Sequence, residues 1–161
     1  MVDTACSPKV AKKIGRWALS FWLAFALTPA VAITVFTVNL SWVLPAAKGR
    51  ATEAFMTLRS SDGAVLVGVR SDAAASVTIV AAGAKGVAMD RLPLPRGEEV
   101  QLAPGKTRLR LLALNRTLKL GDRVPLVLAI EAADGSRQYI AIEVEVRRRS
   151  ALDDEGREHK H

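Results

Sequence analysis

A single cysteine, Cys6, stands in a chain of 161 residues. It cannot close an intramolecular disulfide or build a multi-cysteine zinc site, so the fold must hold by burial and hydrogen bonds. Its plainest reading is a free thiol on the cytoplasmic side. It precedes the apolar stretch of the N-terminus and so does not occupy a lipoprotein position. Histidine is as scarce, with His159 and His161 both among the last three residues. An internal histidine triad or a three-histidine metal site is therefore excluded, and no enzyme activity is expected. Glycine and proline number only 11 and 7, whereas hydrophobic residues make up 50% of the chain. That composition excludes collagen-like and low-complexity chains and is enough to build a core.

The excess of positive charge, +7 overall, lies outside the central part of the chain. Between Ala51 and Val146 twelve basic residues face eleven acidic ones. The surplus is at Lys9, Lys12, Lys13 and Arg16, at Lys48 and Arg50, and in the run Arg147 to Arg149. Aromatic residues are only 5% of the chain, and no stacking platform accompanies the basic residues, so nucleic acid is not expected as a partner.

From Trp17 to Leu44 no side chain is charged. As a helix this stretch would run about 42 Å, at ~1.5 Å per residue, and a bilayer core of about 30 Å needs only ~20 residues. The sequence therefore predicts one transmembrane helix over 17–44, with Trp17, Trp22 and Trp42 near the two interfaces. The basic residues before the span put residues 1–16 in the cytoplasm and the remainder outside the inner membrane. A cleaved secretory signal ending at Ala30-Val31-Ala32 is the competing reading. Against cleavage stands the run Ile33 to Val38, which would need burial elsewhere. Pro29, Thr28, Thr34, Thr37 and Asn39 are groups that lipid cannot satisfy and a neighbouring helix can. Pro29, Thr34 and Asn39 are accordingly candidate contacts to a partner in the bilayer.

After a short linker at 45–50 the period changes from helix to strand. Leu126, Leu128 and Ile130 alternate with Val127 and Ala129, and Ile140, Ile142, Val144 and Val146 share one face with Glu143 and Glu145 turned away. Turn signals at Ser61-Asp62-Gly63, Pro95-Arg96-Gly97, Pro104-Gly105, Gly121-Asp122 and Asp134-Gly135 separate the strands. These predict an all-β antiparallel sandwich over 51–149, with strands near 52–59, 64–71, 76–82, 85–91, 98–103, 107–114, 125–131 and 138–146. Residues 150–161 form a polar tail without a core-forming pattern. Glu98-Glu99 reads as a turn-edge pair, not an acid/base couple. Gly83 to Gly86 lacks the ending and the following helix of a phosphate loop.

Ala54-Phe-Met-Thr-Leu58, Leu66-Val-Gly68 with Ser71-Asp-Ala-Ala74, Leu102-Ala-Pro-Gly105 and above all Leu118-Lys-Leu-Gly-Asp-Arg-Val-Pro-Leu126 resemble the PCu(A)C family of periplasmic copper chaperones. The resemblance covers about 51–146. It implies a cupredoxin-like β-sandwich, and a family role of carrying Cu(I) to the binuclear copper centre of cytochrome oxidase. The family's ligands are a histidine, a methionine further on, and a later histidine–x–methionine pair, soft donors that suit Cu(I). Laid on this sequence, the first histidine falls at Val80 and the later pair at Arg108 and Arg110, none of which offers the ion a lone pair. Met89 falls near the remaining methionine position, where hydrophobic packing is the plainer role. His159-Lys-His161 is a faint echo of the copper-binding extension of some members.

The expected protein is thus not an enzyme and holds no cofactor. It is a cupredoxin-like domain held at the periplasmic face of the inner membrane. It would bind an electron-transfer complex, respiratory or photosynthetic, through its span and its sandwich surface. Arg108 and Arg110 are candidates for partner or headgroup contacts; their plainer reading is solvated arginines paired with Glu98 or Glu131. The rival is a divergent chaperone that uses copper through Met89, His159 and His161. A third reading, a free periplasmic binding module, follows from cleavage after Ala32.

Overall fold

A computed structural model of the protein describes residues 35–83 and 86–149. Strand β1 (Phe36–Val43) opens the domain, followed by β2 (Thr52–Ser60), β3 (Ala64–Arg70) and β4 (Ala74–Val80). Short strands β5 (Ala88–Met89), β6 (Leu92–Leu94) and β7 (Glu99–Leu102) come next. The chain then runs through β8 (Arg108–Leu114), β9 (Arg123–Ala132) and β10 (Arg137–Val146). Hydrogen bonding orders them β5-β4-β8-β2-β1-β10-β9-β3-β6, with β7 pairing Met56 to Arg59 of β2 on the edge that β8 takes at Thr52 to Ala54. The sheet folds over so that β3 packs on β4, giving two layers around one core. Every pairing between these strands is antiparallel except a short parallel junction, Trp42 opposite Glu145 and Val43 opposite Val146, where β1 meets β10; an isolated bridge between Ser60 and Arg96 is parallel as well.

The core follows from period-two alternation. Val124, Leu126, Leu128 and Ile130 of β9 are buried, and Leu109, Leu111 and Leu114 of β8 face them in the interior. On β3 a shift of register between Leu66 and Gly68 inserts a bulge, so that Leu66 is fully buried while Val69 also packs on the core. Among the described residues the buried apolar side chains all lie between Trp42 and Val146. The sandwich therefore carries a core of its own, which is what a domain needs to fold by itself. The β9–β10 hairpin shows why its turn was legible: Gly135 takes φ +82°, a region open to glycine at little cost. Asp134 Oδ1 accepts from Ser136 N at 2.9 Å and Ser136 Oγ at 2.6 Å.

The N-terminal expectation needs correction. Residues 17–44 do not form one helix, because Phe36–Val43 is strand β1, paired along β2 from Phe36 opposite Ser60 to Val43 opposite Ala54. Eight uncharged residues rich in Val, Phe, Thr and Trp satisfy the hydropathy of a span and the propensity of a strand at once. Among the described residues no helix is long and apolar enough to cross a membrane. Asn39 is an exposed residue of β1 opposite Thr57, not a group in a bilayer. Pro29, Thr34 and the cleavage motif at Ala32 lie outside the described residues. The domain begins at β1 instead of residue 51. Segment 45–50 is no free linker: Ala46 and Leu118 exchange backbone hydrogen bonds, and Gly49 N donates to Leu114 O at 2.8 Å.

Candidate functional site

Strands β4, β8 and β2 lie side by side and bring Val80, Arg108 and Arg110, the positions that the resemblance assigns to copper ligands, to one outer face. Val80 on β4 is the direct cross-strand partner of Arg108 on β8, and Thr78 the partner of Arg110. On the other edge of β8, Arg110 stands opposite Glu53 of β2. Residues opposite one another share a face, so Val80, Arg108, Arg110 and Glu53 form one patch. Leu109 and Leu111, between the arginines and beyond them, are fully buried in the core.

Arg108 is held, not solvated. Its Nε donates to Glu53 Oε1 at 2.7 Å, and the arginine side chain is only 15% exposed. Its Nη1 donates to the carbonyl of Lys106 at 3.2 Å. The chain leaving β4 closes over the same spot, with Ala81 N donating to Val87 O at 2.8 Å. Gly86 comes so close that a Cβ placed there would lie 3.1 Å from Val80 Cγ1 and 3.2 Å from Arg108 Nη2. Val80 is consequently 2% exposed although it belongs to the outer face. A guanidinium thus sits between a buried valine, a glycine backbone and a carboxylate.

The other candidates are not brought there. Met89 on β5 is the partner of Ile79, whose face is that of Leu109, and Met89 packs against the core. It therefore sits on the opposite face of the sheet from Val80 and Arg108. Arg110 is exposed and, among the described residues, takes part in no ion pair. His159 and His161 lie outside the described residues. No group of three or more His, Cys, Asp or Glu suited to a metal occurs among the described residues.

The expected acids were wrong in both cases. Glu131 pairs with Arg91 at 2.6 Å and with Arg137 at 3.5 Å, and Glu98 makes no ion pair among the described residues. The hydrogen bond from Arg91 holds the Glu131 carboxyl below the usual carboxylate range, with the charges of Arg91 and Arg137 acting in the same direction. Sequence reasoning missed Glu53 because its meeting with Arg108 spans 55 positions of chain and depends on the β2–β8 register. Gly86 was legible only as a loop residue.

Residues 36–145 match the family of LpqE-like lipoproteins. A protein of Leifsonia xyli subsp. xyli that carries the name lipoprotein Lxx21020 is 31% identical over 75% of this chain and 76% of its own length. Among solved structures, the apo PCuAC domain of PmoF1 shares the fold with a TM-score of 0.60, at 20% identity over 70% of this chain and 92% of that one. The copper-bound PCuAC domain of PmoF2 gives 0.56, at 20% identity over 70% and 93%. The Cu(I) form of DR1885 from Deinococcus radiodurans gives 0.52, at 27% identity over 76% and 85%.

Proposed function

The chain belongs to the LpqE-like lipoprotein family, and we propose that its PCuAC-like domain serves as a non-catalytic accessory or assembly subunit of an inner-membrane electron-transfer complex. The observation that carries the reading is the Arg108–Glu53 ion pair, 2.7 Å long, at a place where the family resemblance puts a copper ligand. A guanidinium keeps its charge at every physiological pH and repels Cu(I). Valine beside it offers no lone pair. In this reading the fold has kept its surface and given up its cargo, so its work is protein contact on the periplasmic side. The family resemblance, through the oxidase that such chaperones serve, supplies the class of complex.

Export is part of the reading. Lys9, Lys12, Lys13 and Arg16 ahead of an uncharged stretch have the form of an export signal, and the curated relative is named a lipoprotein. Cys6 itself stands ahead of the apolar run, so the relative's kind of anchor does not transfer through it.

Gentle detergent extraction of tagged chain, followed by identification of co-purifying subunits, tests the proposal. Stoichiometric recovery of oxidase or photosynthetic subunits is expected. Elution of the chain alone from membranes that hold intact complexes would contradict it. A second reading, a divergent chaperone delivering Cu(I) to cytochrome oxidase, draws on the similarity to the Cu(I) form of DR1885. Its donors would have to be Met89, His159 and His161.

A further inference from the structure

Trp42 of β1 and Phe55 of β2 are cross-strand partners with ring centroids 4.5 Å apart, tilted by 39°. Beside them the domain has a cavity of about 390 Å³ open to solvent, within the range of about 300–1,000 Å³ usual for small-molecule sites. Leu40 is its exposed apolar wall, Trp42, Phe55, Met56 and Leu102 form a floor that belongs to the core and is at most 7% exposed, and Arg148 and Arg149 stand at its side.

The backbone is shaped toward this opening. Leu40 has φ +51°, uncommon for a residue with a Cβ, inside a bulge between Asn39 and Trp42. Leu40, inside this bulge, is 42% exposed and lines the cavity. Such outliers persist where the surroundings fix them, often at binding sites. Neither Arg148 nor Arg149 takes part in an ion pair among the described residues, whereas Arg147 pairs with Glu145. Two exposed cations thus flank an aromatic, apolar recess.

We propose that this recess is a binding site for a single-chain anionic amphiphile, its hydrocarbon chain along Leu40 and the exposed edge of Trp42 and its acidic head on Arg148 and Arg149. Charge complementarity chooses the head: a guanidinium offers a planar fork of donors that fits a carboxylate or phosphate. The volume, at the lower end of the ligand range, chooses one chain over two. The site is distinct from the β4–β8–β2 patch and does not depend on the role proposed for it.

Trp42 is the only tryptophan after residue 32, so a fragment spanning 33–161 reports on the recess by its intrinsic fluorescence. Laurate, titrated below its micelle concentration, should shift that emission saturably at one-to-one stoichiometry. Dodecyltrimethylammonium, with the same chain and opposite charge, should not. Replacing Arg148→Gln or Arg149→Gln should weaken laurate about tenfold each, the scale of one charge-assisted hydrogen bond. Both residues are exposed at the end of the domain, so circular dichroism should be unchanged. Three results would overturn the proposal: no saturation, equal binding of the cation, or unchanged affinity in both variants. Binding that appears only in a fragment ending at 149 would also overturn it, by showing that the chain's own tail fills the recess.

Discussion

Arg108 on β8 and Glu53 on β2 meet at 2.7 Å, Nε to Oε1, although the strand register sets Arg110, not Arg108, opposite Glu53. The pairing is diagonal across one face of the sheet. It draws the guanidinium away from solvent and over Gly86, while Arg110, the nearer residue by register, stays exposed.

Because the pair is only partly exposed and the arginine also caps a backbone carbonyl, it should be worth more than an open surface pair. A double-mutant cycle with Glu53→Gln and Arg108→Met should give a coupling of about 1–2 kcal/mol by urea unfolding, against ~0.2–1 kcal/mol for exposed pairs. A coupling near zero would show that the contact is incidental.

Gly86→Ala should destabilise the domain by more than the about 1–2 kcal/mol that a left-handed backbone costs a residue with a Cβ. Its φ is +52° and its added methyl would press on Val80 Cγ1. The guanidinium end of Arg108 can swing aside, whereas Val80 is enclosed. The same substitution at Gly49, where nothing lies within 4 Å, should cost only the backbone part. Equal losses at the two sites would remove the argument that Gly86 is there for close approach.

Acid titration tests the β9 edge. Glu131 has its carboxyl held low by the hydrogen bond from Arg91. A group whose folded pKa is depressed contributes stability above its unfolded value and loses it as pH falls through the folded value. Arg91→Ala should therefore raise the Glu131 titration toward the ordinary range by carbon NMR. It should lower stability at neutral pH, with the gap to the parent closing on acidification. An unmoved Glu131 titration would contradict the assignment.

Much of the sandwich was legible because its strands alternate. Leu126, Leu128 and Ile130 needed only period two to be placed inside, and Gly63, Gly97 and Gly135 marked turns that the structure keeps, each at positive φ. Strand β1 was misread because hydropathy alone does not distinguish an uncharged strand from a span, and only Trp42 and Val43 of its eight residues are buried. Its pairing with β2 and β10 is a long-range fact that no local window contains. The site was legible to the same depth. Strand periodicity could put Arg108 and Arg110 on one face, but the register that gives Arg108 the carboxylate of Glu53 comes only from the folded sheet. Met89, plausible as a ligand by its place in the order of residues, turned out to share the face of Ile79.

Restoring donors gives a further prediction. Val80 and Arg108 are direct cross-strand partners, so Val80→His with Arg108→His would set two imidazoles side by side. Arg110→Met would add a thioether two residues along the same strand. The triple variant should acquire measurable Cu(I) affinity in competition with a chromophoric chelator, since soft donors suit that ion. No gain in a folded variant would show that the ligand positions inferred from the resemblance are misplaced.

Cu(I) competition on the unmodified fragment 33–161 bears most directly on the account, in which a PCuAC-like domain holds an arginine–glutamate pair at a position that the family resemblance assigns to a copper ligand. Titrated anaerobically against a chelator of known affinity, the fragment should withdraw no stoichiometric copper. A tight one-to-one complex that disappears with Met89→Ala would contradict the account and restore the chaperone reading.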